Sequence, residues 1–249
     1  MTDTLIRHDI GGGITRITLN KAPVNALSAA FLMDFAALLE DLAQDDSVKA
    51  VLIDSAFKVF SAGLNLKEAQ GFDLKDQHAI LTGLNVAFLR LFSFPKPTIV
   101  AVNGAAIAGG LFFVLAADYR IGTDRAQLGL AEVRVGADFP VGPLEVARAT
   151  LDTNTLRRLM LGGRPMTAQA SLTAGMLDEI VSPDALDDTA RKAAQHYAGL
   201  PPKTYSAVKR QIRQAVIDQI ETAMSNGANT PADGWFNDET VAAMKAMIG

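Results

Sequence analysis

The chain has 249 residues, 49% of them hydrophobic, enough to bury a large core as one domain or as one domain with a small appendage. Its 23 basic and 27 acidic residues give a net charge of −4 with no basic block, which argues against a nucleic-acid partner. The absence of cysteine excludes disulfides, thiolate metal sites and a cysteine nucleophile, and no apolar run is long enough to span a bilayer.

The opening stretch MTDTLIRHDI has no basic segment leading into an apolar one, and the chain reads as cytoplasmic. Two runs, Ile6–Ile10 and Ile14–Leu19, flank Gly11-Gly12-Gly13, the pattern of a hairpin whose tight turn needs positive φ. Ser28 is an N-cap for a helix carrying Phe31, Phe35, Leu38, Leu39 and Leu42 on one face and ending at Asp45-Asp46. Val48–Asp54 is a short continuous apolar run, as in a strand covered on both faces, and Thr98–Val102 is another. Between them Ile80, Leu84, Phe88 and Leu91 recur at helical steps, so strand, helix and strand predict a parallel crossover.

Beyond about residue 143 every element reads as helix. Asp152 or Thr153 caps one that stops at Gly162, Thr167 one that stops at Gly175, and Ser182-Pro183 opens one that stops near Gly199. The longest, about 204–226, spaces Val208, Ile212, Val216, Ile220 and Met224 four apart, a packing stripe with Lys209, Arg210 and Arg213 on other faces. A loop follows over 227–234.

No nucleotide-binding glycine pattern is present, since Gly104, Gly109 and Gly110 do not form G-x-G-x-x-G and no G-K-[ST] follows. Ser61 lacks the first glycine of a nucleophile elbow, and His8, His78 and His196 are far apart in sequence. No spacing suits a metal. Two glycine-bearing turns remain, Ser61-Ala62-Gly63-Leu64 and Ile107-Ala108-Gly109-Gly110, each following a predicted buried strand. Glycine there lets backbone N–H groups approach one substrate oxygen, and a helix starting at Gly109 adds the positive end of its dipole. The same glycines serve equally well for tight helix–sheet packing.

Six segments, LNKAPVNALS (19–28), FSAGLNLKE (60–68), KPTIVAVNGAAIAGG (96–110), ADYRIGT (117–123), QLGLAEVRVG (127–136) and AGMLDEIVSPDAL (174–186), resemble in content and order the crotonase, or enoyl-CoA hydratase/isomerase, superfamily. The resemblance implies an α/β fold of the crotonase-like (ClpP/crotonase) type, a spiral of ββα units with a helical C-terminal region. It divides the chain into a core over 1–195 and a C-terminal trimerisation region over 196–249, assembled as a homotrimer or dimer of trimers. It also implies an acyl-CoA thioester substrate and no separate cofactor, coenzyme A being part of the substrate. By motif position the thioester oxygen is held by the N–H groups of Leu64 and Gly109. The coenzyme A portion is met by Ala22 and Val24 and by Ala62, Asn65, Leu66 and Lys67.

Hydratases of the family carry two glutamates; here Glu132 stands at the second position and Phe112 at the first. Hydration divides its work between paired carboxylates, and Phe112 supplies none. One base suffices to move a double bond, which favours conversion of 3-enoyl-CoA to 2-enoyl-CoA, as in fatty-acid β-oxidation, with Phe112 in an apolar wall that raises the pKa of Glu132. Asp138, six residues on, is a candidate second acid. The alternatives are a hydratase, thioester hydrolysis or decarboxylation, and an acyl-CoA binder without turnover.

Overall fold

The computed structural model describes residues 3–248. Strands β1 (Leu5–Asp9) and β2 (Ile14–Leu19) form an antiparallel hairpin in which Leu5 faces Leu19 and Asp9 faces Thr15, with all three turn glycines at positive φ. Helix α1 (Ala29–Gln44) starts where Ser28 accepts a hydrogen bond from the Phe31 N–H. Next come β3 (Ala50–Ser55), the short α2 (Leu66–Ala69) and α3 (Leu74–Phe92), the last opened by a reciprocal capping box between Asp73 and Asp76. Then follow β4 (Thr98–Val102), β5 (Ala105–Ile107), a 3-10 turn over Ala108–Leu111, α4 (Phe112–Leu115), β6 (Tyr119–Thr123), β7 (Gln127–Gly129) and a second 3-10 turn over Glu132–Val135. The remainder comprises α5 (Val141–Thr150), α6 (Thr153–Gly162), β8 (Met166–Thr167), α7 (Ala168–Thr173), β9 (Glu179–Val181), α8 (Leu186–Ala198), α9 (Pro202–Ala223) and α10 (Thr240–Ile248).

Six strands form one sheet in the order β1-β2-β3-β4-β6-β9, parallel after the hairpin, and β5-β7-β8 form a second. Isolated parallel bridges, Leu27 to Leu64 and Ser61 to Ala106, tie successive turns of the chain together. The unit of strand, short second strand and helix recurs as β3, the 61–64 segment and α3, then as β4, β5 and α4, which is the expected spiral. Residues alternate in β3 and β4 because successive side chains point to opposite faces. Val51, Ile53, Val100 and Val102 enter the main core with α1, α3 and α4, whereas Ala50, Leu52, Ile99 and Ala101 pack under Leu186, Ala190 and Ala194 of α8. Both faces are therefore covered, as the continuous apolar runs imply.

Two expectations are corrected. The region after residue 143 is not all helix: β8 and β9 are strands of two and three residues, too short to show an alternating pattern, that form by pairing with the edges of β7 and β6. The four-residue stripe on α9 is only half a packing face. Val216, Ile220 and Met224 meet the core, but Val208 is 48% exposed and Ile212 75%. Lys209 instead turns inward, and its Nζ lies 2.7 Å from Asp118 Oδ2, while Arg213 lies 2.9 Å from Oδ1. The two cations outweigh the burial that would raise the Asp118 carboxyl, and its pKa falls below the ordinary value. The expected division between residues 195 and 196 falls inside α8; Met1, Thr2 and Gly249 lie outside the described residues. Among the described residues no helix is long and apolar enough to cross a membrane.

Candidate active site

The two glycine-bearing turns are built against each other. Gly63 has φ +79°, and a Cβ placed on it would lie 2.8 Å from the Ile107 carbonyl oxygen and 3.2 Å from the Gly109 nitrogen. A Cβ on Gly110 would lie 2.6 Å from the Ser61 carbonyl oxygen. Both contacts are far inside van der Waals distance, so only glycine permits the approach. The glycines let the turns meet, and their meeting brings Leu64 and Gly109 to one cavity. Gly109 occupies the first turn of the 3-10 helix, where an N–H has no intrahelical acceptor. Among the described residues neither the Leu64 nor the Gly109 N–H donates to a protein acceptor. Ala108, immediately before, is held at φ +50°, which a side chain seldom adopts.

Asn25 holds the first turn in place and carries no signal of that role in the sequence beyond its type. It is fully buried with φ +50°, a conformation asparagine tolerates better than most residues. Its side-chain amide nitrogen donates to Ser55 Oγ at 2.9 Å and to the Phe60 carbonyl at 2.8 Å, while its main-chain carbonyl oxygen accepts from Ser61 Oγ. Behind the second turn, Phe113 packs edge-on against Phe35 and Phe88 at ring distances of 5.0 and 5.1 Å. The helix expected to start at Gly109 is in fact a 3-10 turn followed by one α turn, so any dipole at Gly109 comes from few peptides.

A cavity of about 240 Å³ collects Ala62, Leu64, Leu66, Gly109, Phe112 and Glu132. Glu132 opens the 3-10 turn after β7, is 7% exposed, and its Oε2 has no hydrogen-bond partner. Burial pushes its carboxyl up to about 8, with backbone hydrogen bonds acting weakly the other way. Phe112, 1% exposed, forms part of the apolar wall and packs on Phe88 at 5.5 Å. A carboxyl of this pKa in an apolar cleft is suited to exchange a proton near neutral pH.

The other candidates divide. Val24 sits beside the cavity rim, its carbonyl accepting from the Ala62 N–H at 3.0 Å, and Ala22, Ala62 and Lys67 are exposed nearby in the sequence motifs. Asn65 precedes α2 as its N-cap residue without capping it through the side chain. Asp138 is exposed, does not line the cavity, and accepts a hydrogen bond from Trp235 Nε1 at 2.9 Å. Trp235, Met244 and Met247, which do line it, come from the C-terminal segment; their spacing carried no signal of a shared site. Among the described residues no group of three His, Cys, Asp or Glu side chains is placed to hold a metal ion.

Comparison with known proteins identifies the family. The family model described as enoyl-CoA hydratase/isomerase matches residues 9–235. The human mitochondrial enoyl-CoA delta isomerase 1 is 28% identical over 221 residues, 88% of this chain and 73% of that protein. A probable enoyl-CoA hydratase, EchA17 of Mycobacterium tuberculosis, is 29% identical over 202 residues, 80% of this chain and 77% of that protein. The crystal structure of human mitochondrial delta3-delta2-enoyl-CoA isomerase superposes with a TM-score of 0.91 at 25% identity, covering 98% of this chain and 96% of that one. With the family model matched over residues 9–235 and the fold shared over nearly its whole length, the chain belongs to the enoyl-CoA hydratase/isomerase family of enzymes.

Proposed function

We propose that the protein moves the double bond of a 3-enoyl-CoA to the 2-position. The observation that carries this reading is that Glu132 is the one carboxylate lining the cavity among the described residues, with Phe112 where a hydratase of the family places its first glutamate. Glu132 as carboxylate takes a proton from C2 of the substrate. The electron pair moves into the thioester, and the resulting dienolate oxygen accepts hydrogen bonds from the Leu64 and Gly109 N–H groups. The carboxylic acid of Glu132 then returns the proton to C4, leaving the double bond between C2 and C3 and restoring the base. Ala22, Val24, Ala62, Asn65, Leu66 and Lys67 meet the coenzyme A portion in this reading.

Hydration is the second reading, favoured by the name of the mycobacterial relative. Incubation with 3-hexenoyl-CoA separates the two: isomerisation raises the absorbance of the conjugated enoyl-thioester, whereas hydration of crotonyl-CoA lowers it. Activity on 3-hexenoyl-CoA that survives Glu132→Gln overturns the single-base mechanism. Self-association through the C-terminal region, as a trimer or dimer of trimers, is supported by the exposed Val208 and Ile212 on α9.

A further inference from the structure

The wall of the cavity that the proton transfer does not use is built from the C-terminal segment. Trp235, the chain's single tryptophan, and Met244 and Met247 of α10 line the same space as Glu132. We infer that this wall sets the length of acyl chain the site accepts, holding it to short and medium chains, and that Asp138 is a positioning residue for it. The inference rests on the acyl-CoA reading above.

Volume gives the first argument. A methylene takes about the space of a water in the liquid, roughly 30 Å³, so the cavity of about 240 Å³ holds about eight such groups. The thioester sulfur and oxygen fill about two of these places, which leaves room for an acyl chain of about six carbons. The lining is largely aliphatic and aromatic, suited to an alkyl chain and to little else.

The second argument is that the wall is clamped. The Trp235 indole N–H donates to Asp138 Oδ1 at 2.9 Å and, at 3.3 Å, to its main-chain oxygen. The backbone N–H groups of Trp235 and Phe236 both donate to Gln77 Oε1, at 2.8 and 3.0 Å, which fixes the segment on α3. Asn229 accepts from Asn85 at 2.7 Å, and Thr240 Oγ1 donates to the Gly136 carbonyl at 2.7 Å, seating α10 against the turn that carries Glu132. Moving the indole aside to admit a longer chain breaks its hydrogen bonds to Asp138, while the Gln77 hydrogen bonds hold in place the backbone that carries it. Asp138, which might by sequence act as a second acid, is committed to this clamp instead.

The test is calorimetric binding of saturated acyl-CoAs from butanoyl to tetradecanoyl, which needs no proton transfer. The wild-type chain is expected to bind hexanoyl- and octanoyl-CoA at least tenfold more tightly than dodecanoyl- and tetradecanoyl-CoA. Trp235→Ala, or Trp235→Leu if the alanine variant does not fold, removes that discrimination. Asp138→Asn keeps the acceptor and the wild-type profile, while Asp138→Leu shifts the profile towards longer chains, which a merely structural role in stability does not predict. Equal affinity for octanoyl- and tetradecanoyl-CoA in the wild type, or an unchanged profile in the Trp235 variant, overturns the inference and leaves the isomerase reading standing. A clear chain-length limit without turnover of any 3-enoyl-CoA overturns the isomerase reading alone, and failure to bind any acyl-CoA overturns both.

Discussion

Gly63 and Gly109 meet so closely that a methyl group on Gly63 would lie 3.2 Å from the Gly109 nitrogen and 2.9 Å from the Ala108 Cβ. Their separation sets the positions of Leu64 and Gly109, whose N–H groups are the oxyanion donors of the proposed function. Gly63→Ala pushes the turns apart and also meets an unfavourable φ, so turnover falls by about 10²–10³-fold, the typical effect of losing one oxyanion donor. Steady-state kinetics on 3-hexenoyl-CoA, read beside the unfolding transition of the same variant, separate this loss from a loss of fold.

Glu132→Gln keeps size and removes the base. The expected result is a fall in kcat of about 10²–10⁴-fold with KM little changed, because the base acts on the reacting proton and not on coenzyme A.

The raised carboxyl of Glu132 also sets two pH dependences. As a base it must be ionised, so kcat/KM rises with pH and levels off above about 8. For stability the sign is the reverse. Its folded pKa lies above the ordinary glutamate value of 4.5, so between 4.5 and about 8 the folded chain holds a proton that the unfolded chain has released. Stability from this group is therefore lost as pH rises through that window, and Glu132→Gln flattens the slope in urea titrations at a series of pH values.

Phe112→Ala empties a fully buried ring site against Phe88 and is expected to cost about 3–5 kcal/mol of stability. The vacated space opens onto the cavity, so water gains access to the dienolate and the product to hydration. Chromatography of the acyl-CoA products then detects a 3-hydroxyacyl fraction that the parent does not form.

Lys209 and Asp118 form an ion pair buried beneath α9, completed by Arg213. Asp118→Asn leaves two cations without their counter-charge, and a loss of about 3–5 kcal/mol is expected from denaturant unfolding. Replacing Lys209 by methionine, which keeps the length of the side chain but removes a cation, is expected to cost less.

Much of the fold was legible because it rests on local rules. Ser28 and Asp152 cap helices as their side chains and positions imply, and the alternation in Val51–Ile53 requires two covered faces. Strands β8 and β9 were not legible, since two or three residues hold no period and their pairing is decided by distant edges. Lys209 misled for a related reason: apolar spacing on α9 says nothing of Asp118, which lies 91 residues earlier in the chain and draws the lysine inward.

By itself the sequence determined the order of the elements up to β7 and the two glycine turns, which are written in residue type and spacing, while the roles of Glu132 and Phe112 rested on the resemblance to the family. Only the tertiary structure decided that Gly63 must abut Gly109, that burial lifts the Glu132 carboxyl, and that Trp235 closes the same cavity. Those facts depend on dielectric surroundings and on contacts between segments far apart in the chain, and neither is encoded in any local pattern.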